Sequence, residues 1–137
     1  MDKKQVYRGV VKTGRGEGAA EMAAPDDLEG FRRLVGLDVI PGTLNIDLTE
    51  PLDLALLKYA SFAELGWEFD PAKQGIKYEG EIGMYYGRVV VAEKYPAGLI
   101  FFSWVTDPTT DAELVSSHHL RSALGLRDGD IVEFTVD

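Results

Sequence analysis

Two short stretches hold the residues whose types and spacing can do chemistry: Thr13-Gly14-Arg15-Gly16-Glu17-Gly18 and Pro41-Gly42-Thr43-Leu44-Asn45. In the first, glycine at every second position removes the Cβ atoms that would hold a polyanion away from the main chain. Those glycines also permit the positive φ angles that turn successive N–H groups to one side as an anion-binding nest. In the second, Thr43 and Asn45 stand two residues apart, so on an extended chain they share a face. A hydroxyl and a side-chain amide there offer two oxygens to one hard cation. Alone, the glycine stretch reads as a tight turn and the Thr/Asn pair as solvent-facing strand residues; together they point to nucleotide chemistry.

The elements that must position these residues follow from periodicity and punctuation. Val6 to Lys12 is rich in β-formers and reads as a strand entering the glycine stretch, with Glu21 to Ala24 as a short return strand ended by Pro25. Asp26 to Leu37 carries a helix signature: Pro25 and two aspartates suit the first turn, Leu28, Phe31, Leu34 and Val35 recur at helical spacing, and Gly36 closes it. Thr43 to Leu48 alternates polar and apolar, which sends Leu44, Ile46 and Leu48 to the core and Thr43 and Asn45 outward. Pro51 to Glu64 reads as a short helix or an irregular edge, Gly66 to Lys77 as hairpin and loop, and Tyr78 to Ala92 as strand, turn, strand. Ala97 to Val105 is the most apolar strand, broken by Asp107-Pro108-Thr109-Thr110; Glu113 to Ser116 is a further strand candidate. Leu120 to Leu126 reads as a helical turn closed by Gly125, and Asp128-Gly129-Asp130 turns into a last strand, Ile131 to Val136. Many short strands with glycine-rich turns and one or two short helices predict an all-β, barrel-like domain.

Composition narrows the function classes. A length of 137 residues, 45% hydrophobic and 27% charged, predicts a single soluble domain over residues 1–137. Lys+Arg 14 against Asp+Glu 23 gives a formal net charge of −9, which argues against a nucleic-acid surface. There is no cysteine, so neither a disulfide scaffold nor a thiolate metal site is available. No apolar run approaches the ~20 residues of a membrane span, and Met1 to Gln5 shows no signal-peptide pattern, so a cytoplasmic protein without membrane contact is expected. Neither Gly-x-x-x-x-Gly-Lys-Ser/Thr nor Gly-x-Gly-x-x-Gly occurs, which leaves P-loop and Rossmann readings without support.

Three runs in order carry a family resemblance: Gly9 to Gly18, Phe31 to Leu37 leading to Gly42-Thr43-Leu44-Asn45-Ile46, and His119-Leu120-Arg121 followed by Leu126 to Asp130. Together they span nearly the whole chain and resemble the archaeal CTP-dependent riboflavin kinases. The resemblance implies a six-stranded cradle-loop barrel, related to the RIFT barrels, that transfers the γ-phosphoryl of CTP to the riboflavin 5′-hydroxyl, giving FMN and CDP. It further implies that Lys12, Thr13, Gly14, Arg15, Gly16, Glu17 and Gly18 hold the nucleotide phosphates and that Thr43 and Asn45 ligate Mg²⁺. His118, His119, Leu120 and Arg121 would then line the cytidine side. Glu113 and Thr106 (Val105 in a register shifted by one) fall where the family contacts the flavin, and Glu113 is the candidate to orient the acceptor hydroxyl or accept its proton. The chain is expected to act as a monomer.

This chain departs from the family pattern in two places. Ser116-Ser117 stand where the family usually carries Ala-Pro, and Phe102 to Thr110 matches poorly where the flavin should sit. The nucleotide half of the expected site is thus better marked than the acceptor half, and a paralogous kinase with a different acceptor stays open. So does a binding barrel that holds a nucleotide or flavin without turnover; a DNA-binding relative is disfavoured by the acidic balance. Glu113 reads equally as an exposed charge, and Arg15 and Glu17 as solvated loop residues. Phe101, Phe102 and Trp104 read as core, and the adjacent His118 and His119 diverge too much to share a zinc ion.

Overall fold

A computed structural model describes residues 5–12, 25–40, 43–67, 72, 75, 77–104 and 110–136, with backbone alone for 25–28. Seven strands form one antiparallel sheet: β1 (Val6–Lys12), β2 (Leu44–Leu48), β3 (Lys58–Ser61), β4 (Gly83–Val91), β5 (Tyr95–Phe102), β6 (Asp111–Val115) and β7 (Ile131–Val136). Their order is β3-β4-β5-β6-β2-β1-β7, and a further β4–β7 pairing, Val89 opposite Val136 to Val91 opposite Phe134, closes six of them into a barrel. Closure gives each of those six strands a neighbour on both sides within the ring. β3 stays outside the ring, paired with the first half of β4.

The alternation in β2 is realised as expected: Leu44, Ile46 and Leu48 are buried while Thr43 and Asn45 are half-exposed. The barrel interior joins them to Val11, Leu99, Phe101, Ala112, Leu114, Val132 and Phe134. Outward-facing residues follow from register, since directly opposed residues share a face. Lys12 lies opposite Asn45, Asn45 opposite Glu113, Glu113 opposite Ile100 and Ile100 opposite Tyr86.

A second apolar cluster sits on that outer face. Helix α1 (Pro25–Val35) brings Phe31 and Val35 against Ile100, Met84 and Val115, with Trp67, Phe102 and Trp104 packed around them. Proline suits the first helical turn, and Gly36, at φ 70, ends the helix with its N–H on the Arg32 carbonyl at 2.8 Å. Gly98 lets the helix approach the barrel: a Cβ there would stand 2.7 Å from a Val35 methyl.

Tyr78 to Ala92 departs from its expected strand-turn-strand form. Gly83 to Val91 is one continuous strand, and Gly87 is no turn; it pairs with Leu99 and leaves room for Leu57, which a Cβ would meet at 2.7 Å. The chain reverses later, through Ala92 and Glu93, both at positive φ. Within Pro51 to Glu64 the fold holds a 3-10 turn (Leu54–Leu56), β3, and the start of helix α2 (Phe62–Leu65). Ser61 and Glu64 exchange a capping box at its head. Helix α3 (Leu120–Ala123) and the Gly125 turn at φ 62 match the expected helical turn. The expected return strand Glu21–Ala24, Phe69 and the Asp107 to Thr109 break lie outside the described residues.

Candidate active site

The sheet register assembles the site. β2 carries Asn45 between Lys12 of β1 and Glu113 of β6, so three strands place an ammonium, an amide and a carboxylate in one outward row. Thr43, just before β2, shares the parity of Asn45 and donates its hydroxyl proton to Glu113 Oε1 at 2.7 Å. The two residues expected to hold a metal and the one expected at the acceptor are therefore brought together. Thr43 Oγ1 keeps both lone pairs once its proton is committed to the carboxylate, and Asn45 adds an amide oxygen. Neutral oxygens of this kind suit Mg²⁺, which takes few protein ligands when the nucleotide brings the negative charge.

Beside this row opens a cavity of about 90 Å³ lined by Ile40, Thr43, Ser116 and the run from His118 to Arg121. The lining is held at several points. His119 caps α3, its Nδ1 accepting the Ser122 N–H at 3.3 Å, which places the ring proton of the neutral imidazole on Nε2. The His118 ring meets the Tyr95 ring edge-on, centroids 5.1 Å apart. The two histidines thus serve different neighbours.

Arg121 pairs with Asp128 Oδ1 at 2.9 Å and reaches the Lys12 carbonyl at 3.5 Å, the limit of a hydrogen bond. Lys12 directly precedes Thr13, so this contact ties the α3 segment to the root of the glycine stretch. The Asp128-Gly129-Asp130 turn is tied to the same strand, with Gly129 N–H on the Val11 carbonyl at 2.7 Å and Val11 N–H on the Asp130 carbonyl at 2.8 Å. Lys12 Nζ meets Asp111 Oδ1 at 2.7 Å across β2. Thr13, Gly14, Arg15, Gly16, Glu17, Gly18, Val105 and Thr106 lie outside the described residues.

Sequence reasoning named Ser116 as a departure from the family pattern but gave it no role at the site. Its buried hydroxyl donates to the Pro96 carbonyl at 2.9 Å and accepts the His118 N–H at 3.2 Å. This serine-to-i+2 bond holds the chain where it enters the cavity-lining segment. A serine two residues before the cavity-lining segment was the available signal. Asp111 and Asp128, the carboxylates that hold Lys12 and Arg121, were likewise given no role there; each is recognisable only once the register brings distant segments together.

An all-β closed barrel with an external polar row and an adjoining cavity is the class that fold and site define. The family model named CTP-dep_RFKase, described as a domain of unknown function, DUF120, matches residues 11–136. The chain belongs to that family, the CTP-dependent riboflavin kinases. It is similar to a Sulfurisphaera tokodaii protein named riboflavin kinase, 28% identical over 129 residues that cover 94% of this chain and 93% of the relative. A Methanospirillum hungatei riboflavin kinase is 32% identical over 140 residues, 99% of this chain and 59% of that protein. One from Pyrobaculum arsenaticum is 33% identical over 132 residues, 93% of this chain and 59% of that protein. The chain therefore spans nearly all of the first relative and under two thirds of the other two. Among the described residues, no helix is long and apolar enough to cross a membrane.

Proposed function

We propose that this chain is a riboflavin kinase that moves the γ-phosphoryl group of CTP to the 5′-hydroxyl of riboflavin, releasing CDP and FMN. The observation that carries the reading is the Thr43–Glu113 contact at 2.7 Å, in a row with Asn45 and Lys12 and beside the cavity bounded by His118 to Arg121. Family membership and relatives named riboflavin kinase support the acceptor.

Phosphoryl transfer asks a protein chiefly for positioning and charge neutralisation. In this reading Thr43 and Asn45 hold Mg²⁺, which would offset charge on the transferring phosphate. The run from Thr13 to Gly18 presents main-chain N–H groups to the phosphates. Lys12 and Arg121 are engaged by Asp111 and Asp128 in half-exposed ion pairs; such pairs are worth about 0–1 kcal/mol, so a nucleotide phosphate can recruit either cation cheaply. His118, His119, Leu120 and Arg121, which border the small cavity, line the cytidine side. Glu113 faces the acceptor side of the row, where its carboxylate orients the 5′-hydroxyl or receives the proton it loses as the new P–O bond forms. Thr106 contacts the flavin. The working form is a cytoplasmic monomer.

The test is to incubate the purified chain with Mg²⁺, riboflavin and each nucleoside triphosphate separately, then resolve the flavins chromatographically. FMN should form with CTP in preference to ATP, GTP and UTP, and disappear when Mg²⁺ is chelated. Tight binding of CTP or flavin with no FMN from any donor would reduce the chain to a binding barrel and overturn the proposal.

A further inference from the structure

The Thr43–Glu113 bond has a direction, and the direction assigns a role to Glu113 that is separate from the acceptor. A threonine hydroxyl owns one proton and two lone pairs. With the proton given to Glu113 Oε1 at 2.7 Å, the lone pairs of Oγ1 are turned away from the carboxylate. A freely rotating hydroxyl would present its proton toward an incoming cation in some rotamers, and that cation would pay to turn it.

Glu113 is well placed to impose this orientation. It sits in mid-strand on β6, hydrogen-bonded into the sheet between β2 and β5 and opposite both Asn45 and Ile100. Its neighbour on β5, Ile100, is 1% exposed beneath the α1 cluster. Thr43 and Asn45 stand on the β2 side of Glu113. A carboxylate accepting from a hydroxyl also makes the stronger, charge-assisted kind of hydrogen bond.

We infer that Glu113 is a positioning residue for the divalent cation: it locks the Thr43 hydroxyl so that the oxygen, not the proton, faces the metal. The inference rests on the reading of Thr43 and Asn45 as the cation's protein ligands. It differs from a pure general-base role in what it demands of substitutions. Glutamine keeps an acceptor carbonyl and so keeps part of the lock; alanine keeps none. A base, by contrast, is lost equally in both, without effect on the cation.

The experiment titrates Mn²⁺ into the full chain with CDP present, following free Mn²⁺ by electron paramagnetic resonance, so no turnover is involved. Glu113→Ala should weaken Mn²⁺ binding about 10- to 100-fold, the range that follows loss of groups orienting a metal ligand, and Glu113→Gln should weaken it markedly less. Thr43→Val should lose at least as much as Glu113→Ala, and the double variant should lose no more than Thr43→Val alone, because the two residues act on one bond. Thr43→Ser, which keeps the hydroxyl, should retain binding and guards against a folding defect in the valine variant. Unchanged Mn²⁺ affinity in Glu113→Ala, or additive losses in the double variant, overturns the inference while leaving the Thr43 and Asn45 ligands in place. No Mn²⁺ binding by the unsubstituted chain overturns the metal reading and the inference with it.

Discussion

The outer face of the barrel has two halves with the same strand geometry and opposite chemistry, and they meet at Glu113. On one side the row runs through Asn45 to Lys12, all half-exposed and polar; on the other it runs through Ile100 to Tyr86, under helix α1. Every one of these residues points outward by strand parity. What separates them is burial: Phe31 and Val35 pack with Ile100, Met84 and Val115 on the β4–β5 side and the end of β6, whereas Asn45 and Lys12 are half-exposed. A barrel can thus use one face of one sheet both as a second core and as a site, with a packed helix setting the boundary.

Breaking the covered half should cost most. Ile100→Ala removes a fully buried side chain between barrel and helix and should destabilise by about 2–4 kcal/mol, read as a lowered urea midpoint with unchanged slope. Gly98→Ala comes next. Its new Cβ would stand 2.7 Å from a Val35 methyl and 3.0 Å from a Val115 methyl, so α1 must shift, at about 1–3 kcal/mol. Adding Val35→Ala to Gly98→Ala should recover part of that loss relative to the sum of the single changes, since the two sites share one contact.

The exposed half should answer differently. Glu113→Leu, directly across from Ile100, gives up the Thr43 hydrogen bond and adds apolar contact at the boundary, so unfolding stability should change by about 1 kcal/mol or less. FMN formation, in the proposed reading, should vanish in the same protein. If Glu113→Leu instead unfolded the barrel as readily as Ile100→Ala, Glu113 would belong to the packed half and the division would be drawn in the wrong place.

The same contrast explains what could be read from the chain without coordinates. β2 was legible because its interior side needs Leu44, Ile46 and Leu48 at every second position, and parity then turns Thr43 and Asn45 outward. β7 was legible for a similar reason, set off by the Asp128-Gly129-Asp130 turn. The strand-turn-strand expectation for Tyr78 to Ala92 failed because glycine marks turns and close approaches alike; Gly87 makes room for Leu57, 30 positions away in the chain. The true reversal uses Ala92 and Glu93 at φ 53 and φ 60, residues that carry no turn signal. β3 has only four residues, Lys58 to Ser61, too few to show a period. The capping-box pattern Ser61-Phe62-Ala63-Glu64 was present in the sequence and would have marked α2. In the site, the glycine stretch and Thr43-x-Asn45 were local patterns, whereas the pairings of Glu113 with Thr43, Arg121 with Asp128 and Lys12 with Asp111 depend on register.

The smallest expected effect tests the exposed half on its own terms. Lys12 Nζ and Asp111 Oδ1 stand 2.7 Å apart, with side chains 38% and 50% exposed. Water and salt reach both partners, so their attraction is offset by the entropy of holding a long lysine side chain in place. Asp111→Asn should therefore cost about 0.2–1 kcal/mol in low salt and still less at about 1 M, where screening acts over about 3 Å. A loss that stayed above ~1 kcal/mol in high salt would mean the pair is sealed from solvent, and the row from Lys12 to Glu113 would then be a packed surface like the one beneath α1. A small, salt-sensitive loss instead leaves Lys12 able to exchange its carboxylate for an incoming phosphate, as the proposed site at the head of the glycine stretch requires.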